Sequence, residues 1–149
     1  MATVLPTLLG TGWPPDAHHH LWATDMTRVS EHFTNAEFTC KCGQCAFADG
    51  GDPHLALLAV LEDVRAEFGP VTVTPNGGRR CPDWNKVCGG APRSQHIEGN
   101  AADIVVFKTS PIVVYEFLTE HPLADRMGLG SYDSFTHVDV RGSAARWVG

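Results

Sequence analysis

The sequence contains no apolar run long enough to cross a lipid bilayer, which takes about 20 consecutive apolar residues. Its first ten residues, MATVLPTLLG, also lack the basic start and the long apolar core of a secretory signal. We therefore expect no signal peptide, no membrane partner, and synthesis in the cytoplasm.

Positive charge is also scarce. The 11 Lys and Arg residues are outnumbered by 17 Asp and Glu residues, which gives a net charge of -6. A chain of this charge has no long-range field that attracts nucleic acid, so we expect no nucleic-acid partner. The local basic cluster of Arg79, Arg80 and Arg93 suits a small anionic ligand better. We predict that these arginines contact a substrate.

The five cysteines cannot all be paired within one chain, because their number is odd. This count favours a reducing compartment during synthesis over a secreted disulfide framework. The run CKCGQC could bind a structural metal together with Cys81 or Cys88. The single residue between Cys40 and Cys42 differs from common zinc spacings, so a disulfide or free thiols remain alternatives. No set of Cys, His and Asn or Asp indicates a cysteine nucleophile.

A chain of 149 residues with 43% hydrophobic and 19% charged residues suits one compact domain. Residues 1–29 are rich in Pro, Gly, Thr and His and show no periodicity. We therefore predict an extended N-terminal arm at 1–29 and a folded domain at 30–149. The consecutive histidines at 18–20 diverge in any regular structure, and we expect them to be surface side chains.

Helical signals occur at four places. Residues 34–37 have the spacing of a capping box at the start of a helical turn. Apolar residues at helical spacing predict a helix at 53–68. Its predicted buried stripe contains Leu55, Leu58, Leu61 and Val64. Residues 82–87 and 111–120 each begin with proline, the second after a possible N-cap at Ser110, and predict two further helices.

Short β-branched or alternating segments predict strands at 71–74, 101–107, 128–132 and 135–140. Asp133 and Ser134 separate the last two strands and suit a tight hairpin turn. Since helices and short strands are mixed without an internal repeat, the sequence predicts an α+β fold. We expect a single domain in which helices flank a small antiparallel sheet.

Two segments, SQHIEGNAADI and FTHVDVRG, carry side chains that can bind metals. A catalytic zinc ion commonly takes three protein ligands from His, Asp or Glu, and His96, Asp103 and His137 supply that number. Strand alternation places His137 and Asp139 on one face of the last predicted strand. Spacing alone leaves an alternative open, because a histidine and an aspartate seven residues apart can simply be hydrogen-bonded in a loop.

The block RCPDWNKVCGGAPRSQHIEGNAADI closely resembles the core motif of the zinc D-alanyl-D-alanine carboxypeptidases, whose superfamily includes the hedgehog signalling domain. The resemblance extends through HFTNAEFTCKCG upstream and FTHVDVRG downstream, and so covers residues 31–142. It implies a zinc cofactor with the ligands His96, Asp103 and His137. It also implies substrate contacts from Ser94 and from Arg80, whose guanidinium offers paired donors to a carboxylate or carbonyl.

The sequence departs from this family pattern at two places. The family often has Ser-Gly-Tyr-Arg where this chain has GGRR at 77–80, so a tyrosine that shapes the pocket is missing. Many relatives also place a Glu three residues, or a His two residues, before the last zinc ligand as the general base. Ser134 and Phe135 occupy those positions here.

Nearby aspartates could replace the general base that this chain lacks at the family positions. Asp139 shares a face with His137, and we predict that it acts as the general base. Asp133 in the turn is an alternative. A further alternative is that Asp139 orients a ligand histidine or pairs with Arg141.

These features predict a zinc metallopeptidase that hydrolyses amide bonds in peptidoglycan stem peptides or cross-links. The resemblance implies that zinc and Arg80 stabilise the oxyanion formed during hydrolysis. Absence of a signal favours a phage or prophage origin, with virion proteins as partners and action at the cell wall after release or within a virion. The alternative function is a non-catalytic zinc-binding module of a phage particle or cell-surface assembly.

Overall fold

The computed structural model describes residues 28–48 and 50–149. The predicted arm lies outside the described residues except for its last two positions, and so do the histidines at 18–20. Arg28 forms a bridge with Thr34, and Val29 packs against the hydrophobic core. Residues 28 and 29 of the predicted arm therefore contact the folded domain.

The described residues form four α-helices and two 3-10 turns. The helices are α1 (Leu55–Phe68), α2 (Pro82–Val87), α3 (Gln95–Glu98) and α4 (Pro111–Thr119), and the 3-10 turns are Asn35–Phe38 and Ala124–Arg126. The predicted helices at 53–68, 82–87 and 111–120 are thus confirmed with small shifts of their ends. Helix α3 escaped prediction because four residues are too few to show a helical period.

The predicted capping box at 34–37 is present. The Glu37 carboxylate accepts a hydrogen bond from the backbone N–H of Thr34 at 2.7 Å and another from the Thr34 hydroxyl at 3.1 Å. These bonds hold the 3-10 turn that places Phe38 in the core.

Helix α1 begins at Leu55 because His54 is its N-cap, and Nδ1 of His54 accepts the backbone N–H of Ala56 at 3.1 Å. The residues buried on this helix are Leu57, Leu58, Val60, Leu61 and Val64. Leu55 is 79% exposed, so the prediction that it belongs to the buried stripe is wrong. The buried stripe instead starts from Leu57, two residues into a helix whose first residue projects into solvent.

The five strands are β1 (Val71–Val73), β2 (Ala101–Val106), β3 (Gly128–Ser131), β4 (Thr136–Asp139) and β5 (Ala145–Val148). They form one sheet in the order β1-β2-β4-β3-β5. The pairs among β1 to β4 are antiparallel, and β5 lies parallel to β3. The predicted α+β fold with a small antiparallel sheet is confirmed, and the sequence analysis missed only the parallel edge strand β5 among the strands described.

The two faces of the sheet differ in chemistry because side chains alternate along each strand. Ile104 on β2, Leu129 on β3 and Val138 on β4 are buried in the hydrophobic core, together with residues of α1 and α4. Their chain neighbours Asp103 and His137 lie on the opposite face. Helices α1 and α4 therefore cover one face, and polar groups gather on the other. No helix in the described part is long and apolar enough to span a membrane.

Candidate metal centre

His96 is positioned by the short helix α3. The Ser94 hydroxyl caps this helix by accepting the backbone N–H of His96 at 3.3 Å, and Gly99 ends it in the left-handed conformation with φ 74°. Nδ1 of His96 lies 2.8 Å from the carbonyl oxygen of Gly78, so the ring donates this N–H to the backbone. The other ring nitrogen, Nε2, therefore faces Asp103, with 3.3 Å to Oδ1, and is the nitrogen available to a metal.

Asp103 and His137 face each other across neighbouring strands. The antiparallel register of β2 and β4 pairs these two residues directly. Nδ1 of His137 lies 2.8 Å from Oδ1 of Asp103, and both residues are buried. Sheet pairing thus supplies two of the three predicted metal ligands.

The three side chains converge on one point. One ligand atom from each of His96, Asp103 and His137 lies within 4.8 Å of the others. Two imidazole nitrogens and one carboxylate oxygen are a donor set that suits a transition metal such as zinc, and leave a fourth position for a small ligand. The predicted ligand set is therefore assembled by the fold and fits a metal ion of this kind.

Hydrogen bonds among the candidate ligands shift their pKa values in opposite directions. Burial raises the pKa of Asp103, but hydrogen bonds with His137 and His96 outweigh it and hold this pKa well below its ordinary range. Burial likewise lowers the pKa of His137, but hydrogen bonds with Asp103 and Asp139 outweigh it and raise this pKa. A metal ion needs the lone pair of His137 and so would compete with a proton for this ring.

Asp139 lies on the far side of the His137 ring from Asp103. Its Oδ2 is 2.9 Å from Nε2 of His137, whereas Nδ1 of the same ring faces Asp103. Arg141 donates to both oxygens of Asp139, from Nε at 2.8 Å and from Nη2 at 2.7 Å, and the backbone N–H of Gly128 donates at 3.3 Å. Asp139 is fully buried. These contacts match the alternative in which Asp139 orients His137 and pairs with Arg141. The general-base role of Asp139 stays a prediction.

The pKa of Asp139 agrees with this pairing. Burial raises it, but hydrogen bonds from Arg141 and then His137 outweigh burial and hold the pKa well below its ordinary range. The pairing with Asp139 correspondingly raises the pKa of Arg141. Asp139 therefore stays ionised and can accept the Nε2–H of His137, which directs the Nδ1 lone pair toward the metal position.

Two glycines on β3 make room for these groups. A Cβ on Gly128 would overlap the Asp139 carboxylate and the Arg141 guanidinium, and one on Gly130 would overlap the Trp147 indole. Gly130 pairs with His137, and Gly128 pairs with Asp139, in the β3–β4 register. The GLG sequence thus lets larger side chains close over the metal site from the neighbouring strands.

The metal centre lies at the base of an open cleft with a volume of about 460 Å³. Arg80 and Arg93 lie along this cleft, and the rings of Tyr132, Phe135 and Trp147 form an aromatic wall. Tyr132 and Phe135 stack with ring centroids 4.3 Å apart. The cleft therefore combines cationic groups with apolar surface, which suits an anionic peptide.

Arg80 is the arginine closest to the metal ligands. Its Nη2 donates to Oδ2 of Asp103 at 3.1 Å, and its Nε donates to the carbonyl oxygen of Asn76 at 2.8 Å. In the described residues no hydrogen bond holds its Nη1, which leaves donors for another partner. The geometry of Arg80 suits a substrate contact, and that contact stays a prediction.

The other sequence predictions have different outcomes. Arg79 packs its guanidinium over the Phe47 ring at 4.0 Å and is absent from the cleft lining, so its predicted substrate contact stays a prediction without support from the cleft. Ser94 lines the cleft while its hydroxyl caps α3, and its substrate contact stays a prediction. Asp133 is exposed in the β3–β4 turn and does not line the cleft.

Trp147 and Tyr132 are cleft residues that the sequence analysis missed. Nε1 of Trp147 donates to the Tyr132 hydroxyl at 2.9 Å, and the Trp147 ring centroid is 5.0 Å from that of His137. Alternation in the segment ARWV was the signal available, since it contains a tryptophan between polar and β-branched residues. Its partner strand β3 is not adjacent in sequence, so the alternation did not reveal where the ring would lie.

Comparison with known proteins gives two matches. The family model described as Peptidase M15 matches residues 31–139, a span that contains all three candidate ligands. The chain is also similar to the zinc D-Ala-D-Ala carboxypeptidase of Streptomyces albus G, with 27% identity over 135 residues. This alignment covers 87% of the chain and 52% of the relative. The chain thus spans about half the length of that relative.

Proposed function

This chain belongs to the peptidase M15 family, and we propose that it is a zinc-dependent peptidase that hydrolyses amide bonds in peptidoglycan stem peptides or cross-links. The observation that carries the proposal is the convergence of His96, Asp103 and His137 at the base of an open cleft. The similarity to a zinc D-Ala-D-Ala carboxypeptidase supports both the metal and the substrate class.

Zinc bound by the three ligands would polarise a substrate carbonyl and make a water molecule more acidic. The protein's own groups hold this arrangement in place. Gly78 fixes the ring of His96 through Nδ1, and Asp139 fixes the ring of His137 through Nε2. Each imidazole therefore presents its other nitrogen to the metal without rearrangement.

Arg80 and the aromatic wall would hold the substrate. Arg80 touches Asp103, so its remaining donors lie close to the reacting carbonyl and can bind the carbonyl oxygen or a nearby carboxylate. Arg93 is exposed at the cleft and suits a more distant carboxylate of the peptide. Tyr132 and Trp147 offer apolar surface to alanine methyl groups.

A second candidate function is a zinc-binding module without catalysis. Among the described residues that line the cleft, Asp103 is the only carboxylate, and it is already a candidate ligand. A separate carboxylate that could accept a proton from water is thus missing from the described cleft wall. This observation favours the second candidate, and activity measurements distinguish the two.

The experiment uses purified peptidoglycan and a synthetic stem peptide that ends in D-Ala-D-Ala. Wild type is compared with His137→Ala, each after removal of metal by a chelator and after return of zinc. Free D-alanine indicates a carboxypeptidase, and new amino groups without free D-alanine indicate an endopeptidase. His32→Ala is the matched control, because His32 lies outside the cleft and should leave activity unchanged. Stoichiometric zinc with no product would refute the peptidase and support the non-catalytic module.

The route to the cell wall is a separate proposal. We propose that the protein reaches peptidoglycan by release at lysis or as part of a phage particle. Mass spectrometry of purified particles from a producing strain would detect the chain in the second case. Absence from both the particles and the lysate would refute this route.

A further inference from the structure

Four of the five cysteines converge at a place separate from the metal centre. The sulfur atoms of Cys40, Cys42, Cys45 and Cys81 all lie within 4.8 Å of one another. The five cysteines are all free thiols in the described structure. We propose that these four thiolates bind a second, structural zinc ion. This proposal does not rest on the proposed peptidase function.

The sulfur separations suit a tetrahedral ion. Zinc–sulfur bonds of about 2.3 Å place the four sulfurs of a tetrahedron about 3.8 Å apart. The upper limit of 4.8 Å for this cluster lies within a small side-chain adjustment of that value. Disulfide bonding would join the sulfurs in pairs and would not require all four to meet.

Backbone N–H groups already point at the sulfurs. The N–H groups of Gln44 and Cys45 donate to Sγ of Cys42 at 3.4 and 3.3 Å. The N–H of Cys81 donates to Sγ of Cys40 at 3.3 Å. Such donors stabilise negative charge on sulfur, which is the form that binds a metal. Their presence on two different cysteines indicates an arrangement built for thiolates.

The turn between the cysteines explains the unusual spacing. Gly43 adopts φ 71°, a left-handed conformation that directs the next two N–H groups back toward Cys42. The backbone N–H of Cys40 donates to the carbonyl oxygen of Phe47 at 2.8 Å and closes the loop. The short gap between Cys40 and Cys42 is thus accommodated by a closed turn, although it differs from common zinc spacings.

Cys81 completes the set from a distant part of the chain. It is the N-cap of α2, and its sulfur accepts the N–H of Trp84 at 3.4 Å. Cys88 is not part of the cluster and instead lines the cleft. Four sulfur ligands favour zinc or iron, and zinc is the choice for a site that only needs to be structural.

The four-cysteine site lies next to the chain segment that carries Arg80, a residue of the cleft. Cys81 directly follows Arg80, whose guanidinium contacts Asp103. A zinc ion shared by Cys81 and the 40–45 turn would join that turn to the backbone that carries Arg80. The hydrogen bond from the Cys81 N–H to Sγ of Cys40 already joins these two segments, and Arg79 packs over Phe47 just beyond the turn.

Metal counting tests the proposal directly. Wild-type protein purified under reducing conditions and exposed to zinc should hold about two zinc ions per chain, one for each set of ligands. His96→Ala should keep only the thiolate zinc, and Cys42→Ser should lose it. Cys88→Ser is the matched control, because it removes a thiol outside the cluster and should keep both ions.

Thiol counting on wild type keeps the test independent of variants that fail to fold. In native zinc-loaded protein a thiol reagent should modify Cys88 alone, and in Cys88→Ser it should modify no thiol. After denaturation with a chelator, all five thiols of wild type should react.

Three results would overturn the proposal. One is zinc in wild type that His96→Ala removes completely while the variant stays folded. Another is a denatured chain with thiols missing, because disulfides would then explain the cluster. The last is iron in place of zinc at the four sulfurs. Loss of peptidase activity alone would bear on the proposed function and leave this site unaffected.

Discussion

Replacement of Asp139 by asparagine separates the two roles considered for this residue, general base and orienting partner of His137. In the structure Asp139 is fully buried and accepts hydrogen bonds from His137, Arg141 and the backbone of Gly128. Asparagine has nearly the same shape but one NH2 group in place of an oxygen. In either orientation that group faces a donor of Arg141, together with the Gly128 N–H at the Oδ1 position or with His137 at the Oδ2 position. At least two hydrogen bonds therefore become repulsive contacts.

The expected magnitudes follow from these contacts. Removal of the carboxylate charge leaves Arg141 unpaired with its side chain 30% exposed. Because solvent reaches Arg141, we expect a destabilisation of about 2 to 3 kcal/mol, at or below the lower limit of about 3 kcal/mol for a broken buried pair. Loss of the partner that orients His137 should weaken zinc binding by about 10-fold to 100-fold. A lost general base would instead reduce kcat by about 10²-fold to 10⁴-fold with zinc bound.

The assay measures three quantities on the same preparations: zinc affinity by competition with a chelator, kcat on a peptide at saturating zinc, and unfolding by denaturant. For Asp139→Asn we expect weaker zinc binding and a kcat that recovers to within several-fold of wild type when zinc is saturating. Asp133→Asn makes the same chemical change in the exposed turn and should alter none of the three. Wild-type zinc affinity together with an inactive Asp139→Asn would refute the orienting role and establish the base.

Three further predictions concern stability and packing. Although burial opposes it, hydrogen bonds from Ser30 and His32 hold the pKa of Glu62 below its ordinary value of 4.5. Glu62→Gln should therefore cost about 1 kcal/mol of unfolding free energy above pH 5. The difference from wild type should vanish as the pH falls through the lowered pKa, and a difference that persists in acid would exclude ionisation as its cause. Gly130→Ala should displace the Trp147 ring and destabilise the protein by about 1 to 3 kcal/mol, with a changed tryptophan fluorescence that an undisturbed ring would not give. Leu61→Ala in the core of α1 should cost about 3 kcal/mol, whereas Leu55→Ala should cost almost nothing, and similar losses for the two in denaturant unfolding would contradict the observed burial.

Local patterns in the sequence predicted those parts of the fold that local patterns control. The helix at 53–68 shows several turns of apolar periodicity, and the alternation of His137 and Asp139 correctly placed both on one face. The motif around His96 and Asp103 identified two ligand candidates, which the fold brings together with His137.

Features that depend on distant pairing were not predictable in the same way. Strand β5 is only four residues long and lies parallel to β3. Because a parallel pair is not joined by a hairpin turn, the sequence contains no turn signal that predicts this strand. The cysteine cluster joins a short turn to Cys81, whose backbone N–H donates a hydrogen bond to Sγ of Cys40, 41 positions earlier in the sequence. The exposure of Leu55 depends on where α1 begins, and element ends are the least certain part of any sequence pattern.

The direct pairing of Asp103 with His137 also determines which changes in chain length the protein can tolerate. One residue inserted within β2 or β4 would turn a ligand to the helix-covered face, and two would return it to the correct face but move it by about 7 Å along the strand. Insertions in the connection between Val106 and Gly128 leave that pairing intact. Length variation that preserves metal binding should therefore concentrate in connecting segments, while both strands keep a constant number of residues.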